Sequence, residues 1–375
     1  MNVAIVGCGF VADYYLTTLA SYPELTVVGI VDKYSERAKR IASAYGIQCY
    51  ESLAELLSDD RVQLVLNLTD PRSHYAVSHA ALSHGKHVYS EKPLAMRMDE
   101  ARELVAIAES RALGLAAAPC SMLGETAQTI WKLLRDRMMG PVRLVYAEMD
   151  DGYVSRMPFR AWKSSSGVPW PYKDEFEIGC TLEHAAYCLS WLAAWFGPAT
   201  SVTSFASVLI EQKTDGESLD LISPDFTVSC IRFTSGPVAR ITCGIVAPRD
   251  HSLKIICDGG VLYTGDCWDY FSTVRSRRML TWRRKSFLNP IPTKHRLLRS
   301  GHKLPNQRGS QRMDFARGPA EFAAAIRDRR TCRLSAHFSL HINEVVLAMH
   351  GAFGAGAEYH VQTTFEPIDP MPWAC

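Results

Sequence analysis

Asn2-Val3-Ala4-Ile5-Val6-Gly7-Cys8-Gly9-Phe10-Val11-Ala12 opens the chain and decides its fold. The apolar run 2–6 fits a short strand buried in a parallel sheet. It ends at Gly7, and Gly7-Cys8-Gly9-Phe10-Val11-Ala12 is a GxGxxA turn. The first glycine of such a turn permits the sharp reversal. The second lets the backbone approach a pyrophosphate, and the small third residue lets the next helix pack on its strand. A helical pattern over 11–21 supplies that helix, whose N-terminus offers free N–H groups and a positive dipole end to phosphates. A second strand, 26–31, ends at Asp32, twenty positions past Ala12. Strand, turn, helix, strand and acid together are the context the motif requires. Asp32 is placed to bind the adenosine ribose hydroxyls and to repel a 2′-phosphate, so NAD is expected over NADP. Lys33 and Arg37 soften that preference, since either can meet a phosphate.

Outward from this motif the alternation continues. Helices are expected at 35–45, 52–57, 73–84 and 99–111, and strands at 62–68, 87–90 and 114–118. Alternation of this kind means a doubly wound parallel sheet. After residue 120 the pattern changes. Strand-like runs at 142–149, 201–210, 225–234, 237–246 and 252–257 follow one another with only one long helix, 180–196, between them. That reads as an α+β domain with an open, mainly antiparallel sheet. The expected domains are 1–120, binding the dinucleotide, and 121–375, binding substrate and forming oligomers.

At 375 residues the chain exceeds what one core usually serves. Net charge is +2, which by itself points to neither nucleic acid nor membrane. The N-terminus lacks a basic leader, and no run is long and apolar enough to span a bilayer. The eleven cysteines form no CxxC pair, and Cys180, Cys188, Cys230 and Cys243 sit in apolar segments. Reduced thiols in a cytoplasmic protein, with no metal site, are the expectation.

Further on come Asn67-Leu68-Thr69-Asp70-Pro71 with His74, and Gly85-Lys86-His87-Val88-Tyr89-Ser90-Glu91-Lys92-Pro93-Leu94-Ala95. These strings resemble the Gfo/Idh/MocA family, that of glucose–fructose oxidoreductase and inositol dehydrogenase. The resemblance extends to about residue 352, except roughly 153–175 and 265–310. The family places the GKHV…EKPLA string after the fifth Rossmann strand. The resemblance implies an NAD(H)-dependent oxidoreductase acting on a CH–OH or keto group of a sugar, cyclitol or related compound. It implies that Lys92 acts as acid/base and that Glu91 lies near the nicotinamide ribose. It also implies a homodimer or homotetramer. A lysine beside a cationic nicotinamide and partly out of water would have a lowered pKa, useful in a base. The candidate cofactor residues are then Gly7, Gly9, Phe10, Val11, Asp32, Lys33, Arg37, Asn67, Thr69, His74, Glu91 and Lys92.

The family often carries an acid and a histidine four residues apart on the long helix of the second domain. Here Glu183 takes the acid position and Tyr187 the histidine position, with His184 about 100° away around the helix. Tyr187 or His184 is expected to assist Lys92; core packing is the plainer account of either. Cys120 departs from the polar stretch of many relatives, and a buried structural thiol is expected. The segment 160–177 reads as a loop whose Trp162, Lys163, Trp170, Tyr172 and Lys173 can cover a sugar ring or meet another subunit. Residues 275–312 read as a basic insertion, either solvated or binding an anionic substrate handle. Two rival readings stay open: a redox-neutral NAD-dependent glycosidase or epimerase of the same family, and a non-catalytic dinucleotide sensor or scaffold.

Overall fold

The computed structural model describes residues 1–302, 312–354 and 356–375; Lys303 and Arg308 of the basic segment lie outside them. The chain forms two compact units, and crosses between them five times. The first holds Met1–Cys120, Met157–Ile178 and Asp314–Glu344; the second holds the rest. Where the sequence suggests a single break after residue 120, segments 157–178 and 314–344 thus pack with the first unit. Nothing local in their sequence announces this, because the partners lie far away in the chain: Phe322 meets Tyr89, and the Ser339 hydroxyl accepts from Ala117 N–H.

Unit one is built on strands β1 (Asn2–Val6), β2 (Thr26–Val31), β3 (Leu64–Asn67), β4 (His87–Ser90) and β5 (Leu115–Ala117). All pairs are parallel, in the order β2-β1-β3-β4-β5. Helices α1 (Ala12–Leu19), α2 (Ser35–Tyr45), α3 (Leu53–Ser58), α4 (His74–Ser83) and α5 (Met98–Ser110) connect them. Ser52 caps α3 through Glu55 N–H, and the Glu55 carboxylate reaches back to Glu51 N–H. β4 is the fourth full strand. A single parallel bridge between Ile30 and Cys49 flanks β2, and counted as a strand it makes β4 the fifth. The chain order reverses between β1 and β3, so the ligand crevice of such a sheet lies at their carboxyl ends.

Unit two begins with α6 (Glu125–Arg135) and β6 (Val142–Asp150). After the crossing segment, with its short α7 (Tyr172–Ile178), come α8 (Cys180–Phe196), β7 (Ala199–Ser207), β8 (Phe226–Phe233), β9 (Val238–Gly244), β10 (Leu253–Cys257) and β11 (Gly260–Thr264). β12 (Val274–Trp282), β13 (Lys285–Leu288), β14 (Thr293–Lys294) and β15 (Glu358–His360) complete one ten-stranded sheet, ordered β13-β12-β11-β10-β6-β9-β8-β7-β15 with β14 on β12. Within this sheet only β6 and β9 pair in parallel among the described strands. Helices α9 (Arg317–Arg327) and α10 (Ala336–His350) come before β15 in the chain, the former wholly in unit one.

One expectation needs correction. The basic segment is not an insertion outside the sheet: β12 to β14 are part of it. Val274 and Ser276 point inward while Arg275 points out, and the density of arginine hides this period of two. All eleven cysteines are free and eight are buried; Cys230 is exposed, because the alternation of β8 turns it to the outer face.

Candidate active site

In unit one the glycine turn sits at the carboxyl end of β1. Gly7 has φ +97°, and a side chain there would lie 2.5 Å from the Leu68 carbonyl oxygen. Protein packing therefore demands glycine at this position. Gly9 differs: a Cβ would meet nothing within 4 Å. Packing makes no demand there, so the missing side chain leaves room for close approach of another group, as a pyrophosphate needs. The Asp32 carboxylate is fixed by Cys8 N–H and Tyr34 N–H, each 2.7 Å away, with Arg37 at 4.0 Å. Ionised oxygens each keep a further lone pair for a ribose hydroxyl. Lys33 pairs with Asp70 at 3.5 Å, and Lys33 and Arg37 both lie over the Tyr34 ring. Phe10 and Val11 are half-buried where α1 begins. These residues fit a dinucleotide.

Asn67 and His74 are fully buried. Asn67 donates to the His74 carbonyl and to Ser78 Oγ and accepts from Thr69 Oγ1, so its amide shapes the loop after β3. His74 lies between two carbonyls, Nδ1 2.6 Å from Pro93 O and Nε2 3.0 Å from Thr69 O. It thereby ties the β3 loop to the Glu91-Lys92-Pro93 turn. Burial holds its pKa below the ordinary histidine value, although both carbonyl contacts pull the other way.

That turn leaves β4. Glu91 is buried, accepting from Tyr15 Oη at 2.7 Å and from Lys92 N–H at 3.0 Å. Burial first, then Glu91, push the Tyr15 phenol well above its ordinary value, so it stays a neutral donor. The carboxylate is thus locked and fixes the backbone that carries Lys92, which is half-exposed. Cys120 is a buried thiol 3.4 Å from the Asp314 carbonyl.

Segment 157–178 builds a small aromatic core of its own. Trp162 packs on Trp170 (4.9 Å between centroids), and Phe159 on Tyr172 and Phe176. Trp162, Trp170 and Tyr172 stay half-exposed, while Lys163 and Lys173 are exposed. The segment is tied to the rest of unit one by several contacts, among them Arg40 donating to the Gly167 carbonyl at 3.3 Å. Asp13 on α1 accepts from Ser166 N–H and Oγ (3.0 and 2.6 Å). Arg72, after β3, pairs with Asp174 and Glu177 at 3.3 and 2.7 Å.

In unit two, α8 packs on β8, β9 and β6 and is buried on nearly every side. Only His184 and Trp195 show appreciable exposure along it. Glu183 and Tyr187 are buried on one face, four residues apart. Trp268 gathers three rings edge-on: Tyr187 at 4.9 Å, His184 at 5.4 Å and His251 at 4.5 Å. Asp151 lies between the two histidines, 3.3 Å from His251 Nε2 and 3.9 Å from His184 Nε2. Asp266 holds the other side of His251 at 3.7 Å, with Arg249 beside both. Sequence reading missed Asp151, Asp266, Trp268 and His251. Asp151 follows β6 and His251 precedes β10, a hundred residues on, and antiparallel pairing of those strands brings them together. Among the described residues no group of three or more His, Cys, Asp or Glu is placed to hold a metal ion.

Burial lowers the pKa of His251, but the Asp151 and Asp266 carboxylates facing its two ring nitrogens outweigh this and raise it above 6.5. Asp151 and Asp266 are held below the usual carboxylate range; burial opposes this and His251 overcomes it. A raised histidine stabilises the fold below its unfolded pKa and loses that effect as pH climbs through the folded value. The lowered carboxylates contribute above their unfolded pKa and lose their effect as pH falls through the folded one. His251→Asn should therefore lower the melting temperature most at about pH 5–6, and the gap should narrow toward about pH 9. A gap that widens with pH in scanning calorimetry would contradict the assignment.

Residues 1–117 match the oxidoreductase family with an NAD-binding Rossmann fold named for Gfo, Idh and MocA, and residues 127–263 match that family's C-terminal domain. The trans-1,2-dihydrobenzene-1,2-diol dehydrogenase of Sus scrofa is 26% identical over 269 residues, covering 70% of this chain and 74% of its own. A dTDP-3,4-didehydro-2,6-dideoxy-alpha-D-glucose 3-reductase of Streptomyces antibioticus is 33% identical over 129 residues, 34% of this chain and 39% of its own. An oxidoreductase from Agrobacterium radiobacter, solved with NAD+, L-tartaric acid and magnesium, shares the fold with a TM-score of 0.75 at 16% identity, over 96% of this chain and 98% of that one. This chain belongs to the Gfo/Idh/MocA family and is an oxidoreductase with an NAD(P)-binding Rossmann fold.

Proposed function

We propose that the protein oxidises a secondary hydroxyl, or reduces the matching ketone, of a sugar, cyclitol or sugar derivative with NAD(H), with Lys92 as acid/base. The observation that carries this reading is a shared edge. Gly7 follows β1 and Lys92 follows β4, with only β3 between those strands. Two strand spacings are about 10 Å, a span that a dinucleotide lying from pyrophosphate to nicotinamide can bridge. When bound, the dinucleotide supplies the hydride acceptor or donor. Lys92 takes the hydroxyl proton or returns it, and Glu91 and His74 hold the turn that aims it. Tyr187 or His184 assists, and Trp162, Lys163, Tyr172 and Glu183 contact the substrate. The pig relative's name gives it a ring diol and the Streptomyces relative's a 3,4-didehydro dideoxy sugar, whose keto group a 3-reductase turns into a hydroxyl. The reading places a homodimer or homotetramer in the cytoplasm. A panel of polyols and keto-sugars assayed for NADH formation or consumption tests it. Absence of any turnover despite tight NAD binding would instead favour a sensor.

One observation favours a second reading. The ties of Asp13 to Ser166 and of Arg72 to Asp174 and Glu177 fasten a segment to α1 and to the turn after β3, both beside the expected crevice. A segment fastened there slows cofactor exchange, which suits a redox-neutral enzyme that takes a hydride and returns it. Turnover without NADH accumulating in solution marks that case.

NAD(H) should bind more tightly than NADP(H), and Asp32→Ala should narrow or reverse the preference. Losing hydrogen bonds from a carboxylate to two ribose hydroxyls should weaken NAD about 10- to 100-fold. A wild type that prefers NADPH in titration would transfer the specificity to Lys33 and Arg37.

A further inference from the structure

The strongest feature outside the site is the charge of residues 270–313. Twelve of the 41 basic side chains and none of the 39 acidic ones fall there, so the rest of the chain carries ten more acids than bases. A net charge of +2 conceals this segregation. The segment also lies beyond both stretches that match the family, 1–117 and 127–263.

The structure makes much of it a hairpin. β12 and β13 pair antiparallel, with Leu280 opposite Phe287 and Trp282 opposite Lys285. Directly opposed residues share a face, so Leu280, Trp282 and Phe287 stand on one side of the ribbon. β13 is the terminal strand of the sheet. All three side chains are open to solvent, at 39%, 70% and 47%. Ile291, just after β13, is 74% exposed. Arg277 donates to the Pro290 carbonyl and so holds the Ile291 turn against β12. Cations frame this apolar face: Arg278 before it, and Arg283, Arg284 and Lys285 at the tip, all exposed. Among the described residues no carboxylate lies within ion-pair distance of any of these four.

We propose that the β12–β13 hairpin docks this protein on an anionic lipid surface. Trp282, Phe287, Leu280 and Ile291 enter the headgroup region, while Arg278, Arg283, Arg284 and Lys285 meet the lipid phosphates and carboxylates. Stable peripheral attachment needs two signals, and the hairpin joins apolar insertion to a polybasic patch. Tryptophan prefers the membrane–water interface. Charge complementarity selects the occupant. A second copy set face to face on the same hairpin would bring eight unpaired cations together. A nucleic acid would satisfy the cations and stack on Trp282 and Phe287, but it leaves the aliphatic Leu280 and Ile291 unused. A small anionic substrate handle would leave all four apolar side chains in water. No helix among the described residues is long and apolar enough to cross a membrane, so attachment through the hairpin is to one leaflet.

The test is co-sedimentation of the full-length protein with vesicles of phosphatidylcholine containing about a third phosphatidylserine, against phosphatidylcholine alone. Binding to the anionic vesicles only, and loss of it at high salt, is the expected result. Each cation near such a surface contributes about fivefold in partitioning, so Arg283→Ala with Arg284→Ala should weaken binding at least tenfold. Trp282→Ala with Phe287→Ala should weaken it comparably and abolish a blue shift of tryptophan emission. These positions are exposed, so unchanged circular dichroism and NAD binding are expected in both variants. Three outcomes overturn the proposal: equal binding to both vesicle types, a single-stranded oligonucleotide bound while vesicles are not, or Trp282→Asp converting a dimer to a monomer with no vesicle binding in the wild type.

Discussion

Lys92→Met should lower kcat by about 10²–10⁴-fold, the usual cost of removing a positioned acid/base, and leave NAD affinity near that of the wild type. Methionine keeps the apolar stem and removes the charge, so loss of packing is small. The two readouts separate because the parts are separate. The pyrophosphate end is held by the Gly7–Ala12 turn and Asp32, whereas Lys92 is carried on the β4 turn that Glu91 and His74 fix from below. A variant turning over near the wild-type rate on the true substrate would move the acid/base role to Tyr187 or His184. Both pack on Trp268, so His184→Gln and Tyr187→Phe form the natural second pair. Glu91→Gln is a useful companion. It keeps the side-chain shape but lessens the acceptor strength toward Tyr15 Oη, and as a positioning change it should lower kcat less than Lys92→Met does.

What could be read from the sequence depended on how local its cause was. The glycine turn, Asp32 and the five strands of the first sheet were legible because each is a short pattern with its own physical requirement, and Gly7 shows that requirement in its φ and in its approach to Leu68. The Glu91-Lys92-Pro93 turn was legible through resemblance. The cluster around Trp268 was not. Asp151, His251 and Asp266 carry no spacing that announces them, and only the β6–β10 pairing makes them neighbours. Asn67 and His74 entered the cofactor set through the resemblance, and the sequence alone did not show that their polar atoms also shape the loop after β3. The arginines of β12 concealed a strand: Arg275, Arg277 and Arg278 look like a solvated arm until the inward Val274 and Ser276 are seen to be buried.

Gly7→Ala and Gly9→Ala should fail in different ways, though they lie two residues apart in one motif. At Gly7 the backbone has φ +97°, which costs a side-chain-bearing residue about 1–2 kcal/mol. The added Cβ would also sit 2.5 Å from the Leu68 carbonyl oxygen and 2.7 Å from Thr69 N, both backbone atoms of the segment leaving β3. Neither can step aside without moving β3, whose four residues are all buried. The sum should exceed about 3 kcal/mol, in the range of severe single substitutions, and lower the melting temperature by roughly 10 °C. At Gly9 a Cβ meets nothing within 4 Å, and the backbone is not left-handed. Gly9→Ala should therefore melt within a degree or two of the wild type, as surface changes do. Its methyl group would instead stand where a pyrophosphate must approach. Losing one or two charge-assisted hydrogen bonds from the turn should weaken NAD about 10- to 100-fold or more. Calorimetry without cofactor and NAD titration, run on both variants, separate the two effects. If Gly9→Ala loses stability but keeps NAD affinity, its glycine serves the fold, and the dinucleotide does not lie against this turn.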